Sequence, residues 1–520
     1  MIKNLFTILL LLSGLNSDAQ ITFQKTFGGI GADHGRSIQQ TSDGGYIITG
    51  NTQNITGSND YAYLIKLEST GDTVWTKTFG ILGNNNCWGF AARQTLDGGY
   101  IISGESFGAA CLIKTDLDGN IIWSKSFNTF YEGYSVKQTA DSGYIFTGYF
   151  YNNLSFGQDI YLIKTDENGD ILWSKSYGGN AQDDKAYSVL QTPDGGYAIT
   201  GTTASFGAGN MDVFLIKTDS NGDILWARTF GGTGNDLSYS IEQTDDGGYI
   251  ISGSTTSFGV GSIAVYLIKT DSNGNLIWTK SFVSANGVRS NSVQKTLDGG
   301  YIIAGSHYSL ALGGYDVFLI KTDSSGNSLW TRTFGGINDD QGFSCQQTTD
   351  GGYIVVGYSQ SFGAGGYDIY LIKTDSLGNS GCNQGSPTVL VNTTTTLVSN
   401  PLTSIFSPSS PIVNPTPIVG SGNITTNLCT TVGLSEIRVN DSFTLLPNPS
   451  TGAFIISFKS KIISGNIEID NILGAQIFSQ SIMGESEVKI NLKNISGGIY
   501  FVNIFDGVKR SCKKLIFSHN

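Results

Sequence analysis

The chain has 520 residues; 14% are charged, against a usual share of about 25%, and 69 are glycine. Its formal net charge of −12 excludes the basic face that nucleic-acid binders need to displace counterions, and three histidines (His34, His307, His519) exclude a multi-histidine metal centre. Glycine this abundant beside 11% aromatics, without a collagen triplet, reads as many strands joined by tight turns.

Residues 1–19 read as a signal peptide. Lys3 flanks an apolar run from Leu5 to Leu15 that is too short to span a bilayer. Ser17-Asp18-Ala19 carries small residues at the recognition positions, so cleavage is expected between Ala19 and Gln20. No cysteine follows that could take a lipid anchor. No other apolar stretch approaches the length of a transmembrane helix, and none is expected.

From residue 20 to 381 one block recurs. An Asp-Gly-Gly-Tyr-type turn ends at Tyr46, Tyr100, Tyr144, Tyr197, Tyr249, Tyr301 and Tyr353, at spacings of 44 to 54 residues. A Leu-Ile-Lys motif follows each, ending at Lys66, Lys114, Lys164, Lys217, Lys269, Lys321 and Lys373. Tryptophan follows six of them: Trp75, Trp123, Trp173, Trp226, Trp278 and Trp330. The seventh tryptophan slot holds Cys382, yet Phe23-Gln24-Lys25-Thr26-Phe27-Gly28 near the start matches the missing strand, with Phe23 in the tryptophan position. Each unit alternates with period two and reads as four strands, a to d, separated by Asp-Gly turns. Four-stranded propeller repeats run roughly 40–50 residues. A linear stack of such sheets leaves two bare faces, whereas a ring buries each against its neighbours. The expectation is an all-β chain: a seven-bladed β-propeller over 20–381, its last blade closed by the N-terminal strand. The strand ending in glycine (Gly50, Gly104, Gly148 and equivalents), then the aspartate turn and the tryptophan, resembles kelch-type and quinoprotein-type blades. The kelch glycine doublet is absent, and the resemblance implies a fold without implying an activity.

Between 382 and 442 the composition shifts to Pro, Thr, Ser and Asn, with six of the nine prolines between Pro387 and Pro417. This stretch reads as a linker or small appendage, extended rather than packed. Cys382 and Cys429 bracket it and are expected to form a disulfide on export.

Residues 443–520 show four alternating runs and read as a small β-sandwich. Leu446-Pro447-Asn448-Pro449-Ser450-Thr451-Gly452, then Asn471-Ile472-Leu473-Gly474, Ser496-Gly497-Gly498-Ile499-Tyr500 and Lys513-Lys514-Leu515-Ile516-Phe517 follow in order. The stretch resembles the C-terminal sorting domain of the type IX (Por) secretion pathway of Bacteroidota. The resemblance implies the type IX translocon and sortase as partners, removal of the tail, and delivery to the outer-membrane cell surface or the medium. The tail carries a net +3, so the remainder, at −15, is strongly acidic.

Candidate chemistry is sparse. Turns such as Asp116-Leu117-Asp118-Gly119-Asn120 look like half of a calcium loop but lack the distal bidentate glutamate, and a hairpin turn explains them better. No cofactor is expected, calcium being the one ion these turns suggest. Asp60, Asp159, Asp212, Asp316 and Asp368 lie in the b–c loops, and Asp33, Asp183, Asp184, Asp236, Asp339 and Asp340 in the d–a loops. Paired carboxylates hydrolyse glycosides, but a set that recurs blade after blade reads as capping of loop amides. The seven lysines read as partners of a repeated acid or carbonyl, and the tryptophans as inter-blade core. Departures from the repeat point to function, and Trp88, Tyr131 and Tyr151 are the preferred ligand-stacking groups, on the face formed by the b–c and d–a loops. The reading is a secreted or surface propeller that binds a glycan, matrix or protein ligand, with carbohydrate binding or adhesion as its role. The alternatives are a polysaccharide-degrading enzyme using loop carboxylates and a structural surface-layer component.

Overall fold

The computed structural model describes residues 20–432 except 54–59, 82–86, 107, 128–130, 153–156, 180–181, 260, 310–312, 388, 395, 400–403, 407–411, 414–416 and 421–424. It also describes 443–517 except 449–452, 459–464, 472–475, 493–497 and 506–509. Among these residues every regular element is a β-strand, in two compact units that divide at Val432 and Gly433. The expected cleavage junction at Ala19 and residues 433–442 lie outside the described residues.

The first unit holds seven antiparallel sheets, propeller-like blades whose first strands are Asp33–Gln40, Cys87–Gln94, Tyr131–Gln138, Asp184–Gln191, Asp236–Gln243, Val288–Lys295 and Asp340–Gln347. Each Asp-Gly-Gly turn forms as the residues dictate. In the first sheet Thr41 Oγ1 and the Gly45 amide both donate to Asp43 Oδ1, and Gly44 takes the left-handed φ of 82° that a Cβ would strain. In the fourth sheet strand b, Tyr197–Thr203, and strand c, Asp212–Thr218, are buried throughout, as are their equivalents in the fifth, because neighbouring sheets cover both faces.

The missing strand comes from the N-terminus. Ile21–Phe27 pairs antiparallel with Asp368–Thr374 of the seventh sheet. Phe23 stands opposite Lys373, as Trp330 stands opposite Lys321. A Cβ placed on Gly71 of the first sheet would lie 2.6 Å from the Phe23 ring, and one on Gly378 would lie 2.7 Å from the Trp330 ring. Phe23 therefore fills the tryptophan position in both register and packing. Each tryptophan is half-buried and meets the turn tyrosine of the next sheet, as Trp75 does with Tyr100 at 5.8 Å and Trp123 with Tyr144 at 5.8 Å.

The proline-rich stretch read as a linker or appendage departs from the expectation that it would not pack. From Gln384 to Val432 it lays one edge strand on each sheet in turn. Gln384–Gly385 pairs with the sixth sheet and Leu390–Thr393 with the fifth. Leu397–Ser399 then pairs with the fourth, Ser404–Phe406 with the third, Ile412–Val413 with the second and Pro417–Gly420 with the first. Thr425–Val432 ends on Ile21–Phe27 in the seventh. The reason is physical: strand d leaves an unpaired edge on every sheet, and a chain long enough to visit each can satisfy it. Pro387 falls between two pairing segments and Pro417 opens one, where a missing N–H costs no ladder bond.

The second unit has a three-stranded and a four-stranded antiparallel sheet around Phe454, Ile456, Ile467, Ile469, Val502 and Leu515.

Candidate functional site

The repeated charges resolve first. All seven strand-c lysines are buried and reach the aspartate of their own Asp-Gly-Gly turn. Lys66 Nζ lies 2.8 Å from Asp43, Lys217 2.8 Å from Asp194 and Lys321 2.8 Å from Asp298. The partnered carboxyls of Asp43, Asp194 and Asp246 sit near 2; their own burial works against this and is outweighed by bonds from the lysine, the turn threonine and a glycine amide. The half-calcium turns likewise close on themselves: Asp116 Oδ1 accepts from the Asp118 and Asn120 amides at 3.0 and 2.7 Å.

The loop aspartates act as buried caps. Asp33, Asp184, Asp236 and Asp340 accept from the amides of Gly29, Gly179, Gly232 and Gly336 at 2.7–2.9 Å. A second aspartate of the preceding sheet faces each across a glycine: a Cβ on Gly28 would lie 2.3 Å from Asp368 Oδ1 and 2.5 Å from Asp33 Oδ2. The same arrangement surrounds Gly178, Gly231 and Gly335. Between the fifth and sixth sheets all three positions change together, to Ala264, Val283 and Val288. Once the carboxylates are gone, a branched side chain fits where glycine was required. Burial raises the carboxyls of Asp33 and Asp316 to about 6, with a smaller push from the facing aspartates.

An asymmetric constellation lies where the first strands converge. Every strand a carries a bulge, for instance between Gly133 and Ser135, which leaves one extra residue out of the ladder. Sequence reasoning missed this column, which holds Phe90, Tyr134, Tyr187, Tyr239 and Phe343 with Arg36 and Asn291. Phe90 stacks on Tyr134 at 4.6 Å, Tyr134 meets Tyr187 at 5.0 Å, and Tyr187 meets Tyr239 at 5.1 Å. Arg36 lies over the Phe343 ring at 4.7 Å. These aromatics are half-buried, leaving part of each ring open. The missed signal was an aromatic recurring three residues after the d–a aspartate.

Acids border this cluster on the loop side. Tyr134 Oη donates to Glu132 at 2.6 Å, and Tyr149 packs 5.6 Å from Tyr134 with Lys185 over its ring at 5.0 Å. Glu105 is pushed up to about 7, by burial first and by Glu132 second. Trp88 stands opposite Glu105 in the ladder and donates Nε1–H to Asp60 Oδ2 at 2.9 Å. Tyr151, opposite Gln158, is exposed. Tyr131 pairs with Phe150 in the ladder, and its side chain lies outside the described residues.

Toward the Asp-Gly-Gly turns of the same strands is a cavity of about 840 Å³ lined by the first strands of all seven sheets. Its charged residues are Arg93, Lys137 and Glu242.

Cys87, Cys111 and Cys345 are buried free thiols, and Cys382 is disulfide-bonded. In the second unit Asn448 Oδ1 accepts the Ile516 amide at 2.9 Å, Tyr500 is buried 5.3 Å from Phe517, and Lys513 lies over Phe443 at 5.5 Å. Pro447 and Gly498 are exposed, while Pro449, Gly452 and Gly474 lie outside the described residues, as does the side chain of Lys514.

Residues 444–518 match the family model of the secretion system C-terminal sorting domain. Over 203 residues the chain is 24% identical to the regulatory protein FlaEY of Caulobacter vibrioides, an alignment covering 37% of this chain and 17% of that relative. A crystal structure of a protein of unknown function from Bacteroides caccae aligns at 14% identity over 60% of this chain and 93% of that one, with a TM-score of 0.34. One from Dyadobacter fermentans aligns at 11% identity over 69% of this chain and 100% of that one, with a TM-score of 0.39. The sorting motifs and the matched model agree on one stretch: the C-terminal unit is a type IX secretion sorting domain, and the chain is a cargo of that machinery, destined for the outer-membrane surface or the medium.

Proposed function

We propose that the chain is a secreted or surface-displayed binding protein whose seven sheets close into a seven-bladed propeller, with a glycan as ligand on the loop side. Ring closure is supported by the bonds between the seventh and first sheets: Gln40 N donates to Gln346 Oε1 at 2.6 Å and Thr349 N to Gln40 Oε1 at 2.9 Å. The first and second sheets repeat them, with Gln94 N to Gln39 Oε1 and Ser42 N to Gln94 Oε1, both 2.8 Å. The binding assignment rests on one observation, the run of half-buried rings from Phe90 to Tyr239 bordered by Glu105, Glu132 and Lys185. Open aromatic faces stack on the apolar faces of sugars, and flanking acids accept their hydroxyls. Trp88, Tyr131 and Tyr151 are the outer stacking groups. A glycan array probed with the purified chain, with and without calcium, tests this. Ligand binding should weaken several-fold in Trp88→Ala plus Tyr131→Ala while the fold stays intact. Binding unchanged in that variant sinks the loop-side assignment.

A second reading takes its support from Glu105. A carboxyl raised to about 7 beside a second carboxylate is the pattern of a general acid in glycoside hydrolysis. Polysaccharide cleavage abolished by Glu105→Gln would establish it; intact polysaccharide after incubation with the wild-type chain would remove it.

Export favours oxidation, and the proposed partner of Cys382 is Cys429. Cys429 stands opposite Gln24 in the ladder, and Gln24 also bonds the Cys382 carbonyl. Signal-peptide removal between Ala19 and Gln20 and sortase removal of the tail complete the proposed maturation.

A further inference from the structure

The axial cavity on the Asp-Gly-Gly side carries a chemistry the loop side lacks. One column of strand a points into it. The first, sixth and seventh sheets place Gln39, Gln294 and Gln346 there, the second and third place Arg93 and Lys137, and the fifth places Glu242. Glutamine is the repeated residue, so two adjacent cations are a departure from the pattern on one side of the cavity. Arg93 is held in place: its Nη1 donates to Ser37 Oγ at 2.8 Å and to the Ala92 carbonyl at 2.7 Å. Every strand-c lysine has an aspartate against it, yet among the described residues neither Arg93 nor Lys137 has a carboxylate within 4.0 Å. The two cations burden each other. Lys137 is pushed down to about 8, by Arg93 first and burial second, while Glu242 pulls the other way.

We propose that this cavity binds an acidic saccharide, a uronate whose carboxylate joins Arg93 and Lys137 and whose hydroxyls meet the surrounding amides and serines. An anion placed between two like charges relieves their repulsion and adds the second negative charge that Glu242 alone does not supply, and arginine beside lysine suits a planar carboxylate. The rest of the lining carries no aromatic ring: Ser135, Ser188, Ser240 and Ser292 stand among the glutamines, with Ile38, Ile241 and Val293 between them. Such a lining has hydrogen-bond partners for many hydroxyls and none of the stacking faces a neutral aromatic-binding sugar uses. A volume of about 840 Å³ holds one or two sugar rings. The site is separate from the loop-side aromatics and does not depend on the function proposed for them.

Calorimetric titration of the purified chain with glucuronate, glucose and inorganic sulfate tests this. Glucuronate should bind and glucose should not. Arg93→Ala plus Lys137→Ala should weaken glucuronate about ten- to hundredfold, the range for losing charge-assisted hydrogen bonds. Lys137→Met alone should do so in part, which keeps the test open if the double variant fails to fold. Affinity should fall as pH rises through about 8, because Lys137 then loses its proton; Arg93 and Glu242 are the other charged groups facing it. Sulfate binding as tightly as glucuronate would overturn the saccharide assignment. Glucuronate binding untouched in the double variant, or absent from the wild type, would overturn the site. Glucuronate binding lost instead in Trp88→Ala plus Tyr131→Ala would move the ligand to the loop side, overturning this inference and leaving the loop-side function standing.

Discussion

Asp316 and its repeat equivalents are acids that the fold keeps from water. Asp316 is 5% exposed and faces Asp340 across Gly335, and its carboxyl rises from 3.8 to about 6, mostly through burial. Between about pH 4 and 6 the folded chain therefore holds a proton that the unfolded chain has released. Stability from this group is complete below about 4 and is lost as pH rises to 6, by up to about 3 kcal/mol. Asp33 contributes in the same window and with the same sign. The turn aspartates act oppositely and elsewhere: Asp43, Asp194 and Asp246 lose stability as pH falls from about 4 to 2. Asp316→Asn should therefore raise the melting temperature at pH 7.5 and flatten its fall between pH 4 and 6. A melting curve at pH 7.5 lower than wild type would show that the carboxylate is stabilising there. The sequence made these aspartates visible as a repeated set and as caps. It did not make their burial visible, because facing acids come from different repeats and meet only when sheets pack.

At the scale of elements, legibility followed the strength of the local pattern. The lysine–aspartate pairs, the Asp-Gly-Gly turns and the N-terminal strand opposite Asp368–Thr374 were all readable, because each rests on a motif repeated many times. The aromatic column was hidden by a bulge: an extra residue in strand a breaks the period-two alternation and re-aims Tyr134 and Tyr187. Six of the seven edge strands between 384 and 432 were hidden by brevity, since runs of two to four residues carry no periodicity of their own. Their pairing has a consequence. A chain ending at residue 381 should leave seven exposed strand edges, whereas one ending at 432 keeps them covered. The shorter chain should aggregate and the longer should stay monomeric in analytical ultracentrifugation. Equal monodispersity of the two would show that the edge strands are dispensable decoration.

At the scale of the whole first unit, the two ends of that unit meet in one sheet. Ile21–Phe27 lies between Asp368–Thr374 and Thr425–Val432, so the seventh sheet is completed by the beginning and the end of the unit together. This makes Phe23 the test of the proposed ring. It is fully buried and touches both partners of the last junction, with its ring against Gly71 of the first sheet and its backbone opposite Lys373 of the seventh. Lys25 adds an ion pair across the same junction, 2.7 Å from Asp72, although Asp72 is largely exposed and the pair contributes little. If the seven sheets form a closed ring, the stability of every sheet depends on this junction. Phe23→Ala should then cost about 3–5 kcal/mol, the range for emptying a buried aromatic site, and should lower a single cooperative transition. In an open stack the same substitution would loosen the end sheets alone. Hydrogen exchange separates the two cases: faster exchange reaching the fourth sheet, farthest along the chain from both ends, supports closure, and protection there unchanged while the first and seventh sheets open refutes it.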